Sequence, residues 1–160
     1  MLSESPSLKS LYEQDYNKWV QEIVRLLKEQ KFEELDLPNL IDEVEDLSGS
    51  QRRELKNRLR VLMMHLLKWK YQSQKRSENW IGTIIEQRRQ IESILETSPS
   101  LMSYLLEIFE QSQVYVKARK DAAQETNLPL EAFPFECPWS IEQVLDEDYL
   151  PESGDLLEVL

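Results

Sequence analysis

An all-α fold is predicted by three features of the sequence. Turn residues are scarce, apolar side chains recur near a 3.6-residue period, and helix-start signals are spaced at helix lengths. Among 160 residues there are only 3 glycines and 7 prolines, too few to turn a series of short strands but enough to separate long helices. A chain of this length is the size of one domain with a real core. We therefore expect an antiparallel bundle of four principal helices over residues 1–152, with 153–160 (the end of PESGDLLEVL) as a frayed tail.

The first helix is expected at about 10–30. Ser10 and Glu13 have the spacing of a capping box, and Leu11, Trp19, Ile23, Leu26 and Leu27 then line one face. A second start follows at Asp36, with Pro38 in the first turn, where a missing amide hydrogen costs nothing, and with Leu35 and Leu40 placed as a hydrophobic staple. Its first stripe is Leu40, Val44 and Leu47; its second is Leu55, Leu59, Leu62, Leu66 and Trp69. The step from Leu47 to Leu55 turns the stripe by about 80°, and Ser48-Gly49-Ser50 lies at the join. The reading is a helix over about 36–72 broken near Gly49.

Ser77 caps a third helix, about 77–96, whose inner face is Trp80, Ile84, Ile91 and Leu95. Ser98-Pro99 opens a fourth, about 98–126, with Leu101, Leu105, Ile108, Tyr115, Ala118 and Ala122 facing inward and Asn127 with Pro129 ending it. FPFECPW, dense in proline and aromatic residues, reads as an extended segment laid on the bundle. Ser140 and Gln143 then form a capping box, with Trp139 and Val144 as staple, for a short helix near 140–146. The expected core includes Trp19, Leu26, Leu59, Leu62, Leu66, Trp69, Trp80, Ile84, Ile91, Leu105 and Ile108.

Charge is segregated along the chain. Residues 1–50 hold 5 basic and 12 acidic side chains, residues 51–92 hold 11 and 4, and residues 93–160 hold 3 and 14. A basic island of net +7 thus sits between flanks of −7 and −11, within a chain of net −11. Its exposed cations are expected to be Arg52, Arg53, Lys56 and Arg60, with Lys70, Lys75 and Arg76 crowding the next turn. Such a face suits a charged partner, or mutual neutralisation with the flanks. A net acidic chain is repelled by phosphate backbones, so another protein is favoured over RNA or DNA as the partner.

The segment HLLKWKYQSQKRSENWIGTIIEQRRQI, from His65 to Ile91, resembles the family named domain of unknown function 29. LYEQDYNKWVQEIVRLL, FEELDLPNLIDEVEDL and FPFECPWSIEQVLDEDYLPE resemble further pieces of that family in their usual order, covering about residues 11 to 152. The resemblance implies an all-helical bundle of bacterial, in particular cyanobacterial, cytoplasmic origin. It implies no reaction and no catalytic residues.

Chemistry is sparse. The polar residues beside the seam of the central hairpin are His65 and Lys68 on one helix and Gln87 and Arg88 on the next. Antiparallel packing would bring Trp69 to Trp80 and His65 towards Ile84, Gln87 or Arg88. Such a group can bind an anion, with His65 as acid or base, or form a hydrogen-bond network that fixes helix register; the network is favoured. Neither nucleophile, glycine-rich phosphate loop nor cofactor motif accompanies it, so no catalytic residue and no cofactor is assigned. Glu43, Glu45, Asp46 and Glu54 read as a solvated acidic face rather than a metal site, because a di-metal bundle needs paired Glu-x-x-His motifs and the chain has 1 histidine. Cys137 stands alone, which excludes an internal disulfide, and no cation beside it in sequence would activate it. The longest apolar run, Val61 to Leu67, is far short of the ~20 residues a membrane helix needs, and MLSESPSLKS lacks a secretory pattern. Together these predict a cytoplasmic, non-enzymatic interaction or regulatory protein.

Overall fold

The computed structural model describes residues 6–152, all helical elements and connections, with no strand among them. The expected frayed tail at 153–160 lies outside the described residues. Two compact units divide the chain, Met1–Ser50 and Gln51–Leu160.

In the first unit, α1 (Leu8–Gln14) and α2 (Tyr16–Lys28) replace the single helix expected at 10–30. Ser7, not Ser10, caps α1; its Oγ accepts the Ser10 amide at 3.1 Å. Asp15 then interrupts the run. Its backbone leaves the helical region, and its carboxylate accepts the Lys18 amide at 3.1 Å, so an acidic residue in mid-pattern serves as a second N-cap. After α2 the Lys31 amide bonds the Leu26 carbonyl at 2.8 Å and the Gln30 amide bonds Leu27 at 3.2 Å, with Gln30 left-handed at φ 58°. That is a Schellman ending built without glycine.

α3 runs from Leu37 to Tyr71, with Asp36 immediately before it and Pro38 in its first turn. It is continuous through Gly49, which corrects the expected break. One glycine costs a helix only about 1 kcal/mol relative to alanine, and the 80° rotation of the stripe needs no kink because Val44 and Leu47 of the first stretch stay exposed instead of joining one core with the second. The boundary between units falls at Ser50, directly after that join.

The start of α3 is held by aromatic residues. Trp19 Nε1 donates to buried Asp36 at 3.1 Å, Asn39 donates to the same oxygen at 2.7 Å, and the hydroxyls of Tyr12 and Tyr16 donate to the two oxygens of Glu43 at 2.5 and 2.7 Å. The bond to Glu43 is the main reason the Tyr12 phenol is pushed up to about 12.

In the second unit α4 (Glu78–Thr97), capped by Ser77 as expected, returns antiparallel to the later part of α3. Gln51 meets Ser98, Arg58 meets Gln87, and Lys68 lies over Trp80, so numbers rise on one helix as they fall on the other. The helix expected at 98–126 is two, α5 (Leu101–Glu110) and α6 (Gln113–Thr126), separated by Ser112 at φ 61°. Ile108 and Tyr115 are two helical turns apart, in register, but Gln111 and Ser112 place polar groups at the seam between them, where serine competes with the helix for backbone bonds. α6 runs in the same sense as α3, with Arg60 meeting Asp121, Lys68 meeting Glu125 and Gln72 meeting the Thr126 carbonyl.

After left-handed Asn127, residues 128–140 lie across this bundle, burying Phe133 and Trp139, and lead to α7 (Ile141–Leu145) with the expected Ser140–Gln143 capping box. Of the expected core residues, Trp19, Leu26, Leu59, Leu62, Leu66, Ile84, Ile91, Leu105 and Ile108 are buried. Trp69 and Trp80 are only partly buried, each with a cation seated over a ring face.

Candidate protein-interaction face and polar seam

The four polar seam residues take up three separate neighbourhoods. Arg88, on the inner face of α4, is buried, and its guanidinium donates to three backbone carbonyls: Val144 from Nε at 2.8 Å, Tyr149 from Nη1 at 2.7 Å and Gln143 from Nη2 at 3.3 Å. It supplies a cation and donors to the C-terminal end of α7, where carbonyls are left unpaired. Burial pulls its pKa below the ordinary value, against the opposing pull of Asp146 and Glu147. Gln87 instead accepts from Arg58 Nη1 at 3.2 Å, and Arg58 also pairs with Glu54.

Lys68 and His65 share the third place, facing α6. The Lys68 ammonium, on a buried side chain, donates to Glu125 at 2.8 Å and stands 4.7 Å from the Trp80 ring centre. His65 Nδ1 lies 2.9 Å from the Val61 carbonyl, which can only accept, so the proton sits on Nδ1. Burial, chiefly, lowers the imidazole's pKa, with Lys68 acting in the same sense and the Val61 bond and Glu125 opposing. Below its ordinary 6.5, the ring is predominantly neutral at pH 7. Asp121 and Glu125 were not singled out from the sequence; their spacing of four on α6, beside the inward Ala118 and Ala122, is the signal that both reach α3.

The basic residues divide into two groups. Near the start of the second unit Arg53, Lys56, Asn57 and Arg60 of α3, with Val114 and Lys117 of α6, line an open groove of about 210 Å³. Arg60 is anchored there by Asp121 and by Asn57, while exposed Arg52 lies with its guanidinium 5.9 Å from the Tyr104 ring centre. Around the α3–α4 turn, Lys70 stands 5.2 Å from the Tyr71 ring centre, Lys75 is exposed, and Arg76 stacks on Trp69 at 4.3 Å while donating to that residue's carbonyl at 2.8 Å.

The family described as domain of unknown function DUF29 matches residues 11–150. The chain belongs to that family. The match runs from Leu11 in α1 to Leu150, just past the segment that Arg88 holds, so it takes in the greater part of both units of this DUF29 chain. No curated protein and no solved structure matches the chain.

Other chemistry-bearing groups of this DUF29 chain have structural partners. The Cys137 thiol is partly buried, donates to the Trp139 carbonyl at 3.5 Å, and is pushed up in pKa by burial, the reverse of an activated thiol. Among the described residues no three His, Cys, Asp or Glu side chains converge as a metal site, and no helix is long and apolar enough to cross a membrane.

Proposed function

We propose that this DUF29 chain is a non-enzymatic interaction or regulatory protein, and that it recognises another protein through the basic face of α3. The observation that carries this reading is the open groove lined by Arg53, Lys56, Arg60 and Lys117 over apolar Val114. Arginine and lysine around an apolar floor suit an acidic segment of a protein, whose carboxylates pair with the rim while an apolar side chain enters the groove. The polar seam supports the same reading indirectly. Arg88, Lys68 and Gln87 hold carbonyls, a carboxylate and a guanidinium of this chain, which is the work of a register-fixing network. Nucleic acid is the less favoured partner. Trp69 and Trp80 already face cations of this chain, and Tyr71 packs edge-on against Phe133, so those rings are engaged rather than open to bases. We place the protein in a bacterial cytoplasm on the strength of the family resemblance.

The test is a charge reversal, Arg52→Glu with Arg53→Glu and Lys56→Glu. Arg52 and Arg53 are exposed and Lys56 half-buried; the reversal should abolish capture of the partner, with circular dichroism and melting temperature as the control that the variant is folded. Undiminished capture by the reversed variant would remove this face from the interface.

A further inference from the structure

The first unit carries an apolar surface of its own. At the start of α3, Leu37, Ile41, Val44 and Leu47 are 51, 51, 57 and 69 % exposed. With half-buried Leu40 they span an arc of about 120° on the helix, at ~100° per residue. A continuous stripe of this kind on the outside of a folded chain marks a place where something docks.

The flanking charges say what. Residues 37–50 carry Asp42, Glu43, Glu45 and Asp46 and no lysine or arginine. Glu43 and Glu45 border the apolar arc, each about 40° beyond its edge, and Tyr12 and Tyr16 fix Glu43 in place. A second copy of the chain fits poorly. Antiparallel pairing centred on the stripe sets Ile41 against Val44 but also runs Glu43 along Glu43 on one margin and Glu45 along Glu45 on the other, like charge against like. Shifting the register to bring Arg52, Arg53 and Lys56 opposite the carboxylates sets those cations against the apolar stripe instead. Only a helix with its own apolar stripe and basic margins satisfies both features.

We propose that the 37–47 face of α3 is a docking site for a basic amphipathic helix of a partner protein. Apolar residues of that helix at i, i+3, i+4 and i+7 lie on Leu37, Ile41, Val44 and Leu47, and its lysines or arginines meet Glu45 on one margin and Glu43 on the other. The site is separate from the basic groove and of opposite charge, so either can fail without the other.

The probe is a fluorescent peptide of about 18 residues containing only leucine and lysine, with leucines at helical spacing, alongside a scrambled peptide of the same composition. At physiological salt the full chain should bind the amphipathic peptide one to one and the scrambled one about tenfold more weakly or worse. Ile41→Ser with Val44→Ser should weaken the amphipathic peptide by a similar factor, with circular dichroism and melting temperature unchanged. Glu45→Lys, which alters no packing, should weaken it by about threefold at low salt. The Arg52, Arg53 and Lys56 reversal should not weaken it. Equal affinity for the two peptides would overturn the proposal, since charge alone would then explain the binding. So would full affinity in the double serine variant, or a dimer in sedimentation that this variant dissociates, which would make a second copy the occupant.

Discussion

Arg88 closes the second unit by binding three carbonyls of residues 143–149 from a buried position on α4. Arg88→Leu leaves those carbonyls short of a donor and should cost about 3 kcal/mol, read from urea unfolding; Arg88→Lys, with one compact donor in place of a fork, should recover part of it. A loss under about 1 kcal/mol would mean the segment is held by apolar packing, with Val144 buried in the core, and not by the guanidinium. His65 gives a pH signature. Its pKa is lowered in the folded chain, so its protonation favours the unfolded one. The stability it permits is complete above pH 6.5 and is lost as pH falls through 6.5 towards the folded value. His65→Gln should therefore lose less stability between pH 7.5 and 5.5 than the parent chain, as measured by melting temperature at each pH. An unchanged pH dependence would mean the ring titrates normally. At this scale the sequence indicated which side chains lie beside the seam but not whom they meet. Arg88 and Gln87 are adjacent on one helix, yet the guanidinium turns to a segment more than fifty residues on and the amide to Arg58. Such partners depend on how the helices cross, which periodicity does not encode.

At the scale of elements, α4 offers a clean test of helix propensity. Gly82 is exposed, and a methyl group there meets nothing within 4 Å. Gly82→Ala should stabilise the protein by about 0.5–1 kcal/mol, measured by urea unfolding; destabilisation would place a partner or a distortion at that position. Ser112, left-handed at φ 61°, should gain a similar amount as Ser112→Gly. Helix identity was legible because apolar faces and caps agreed at Ser77, Ser140 and Asn127. The misplaced boundaries have specific causes. Asp15 is a cap hidden inside an amphipathic run, Ser112 is a turn without glycine or proline, and Gly49 is a glycine the helix simply absorbs.

For the whole molecule, α3 is common to both units, and we expect residues 1–152 to unfold in a single calorimetric transition; two resolved transitions would show that the units melt independently. Charge segregation was fully legible in the sequence, and it is the property that points to a charged partner. The structure adds the groove that gathers Arg53, Lys56, Arg60 and Lys117, residues from two helices that no local pattern joins.

The most direct test of the interaction reading is affinity capture of the full chain from a bacterial lysate, with and without nuclease, followed by mass spectrometry. The expected result is a stoichiometric protein partner that survives nuclease and is lost on reversing Arg52, Arg53 and Lys56. Capture that vanishes with nuclease would contradict it and make nucleic acid the ligand of the basic face.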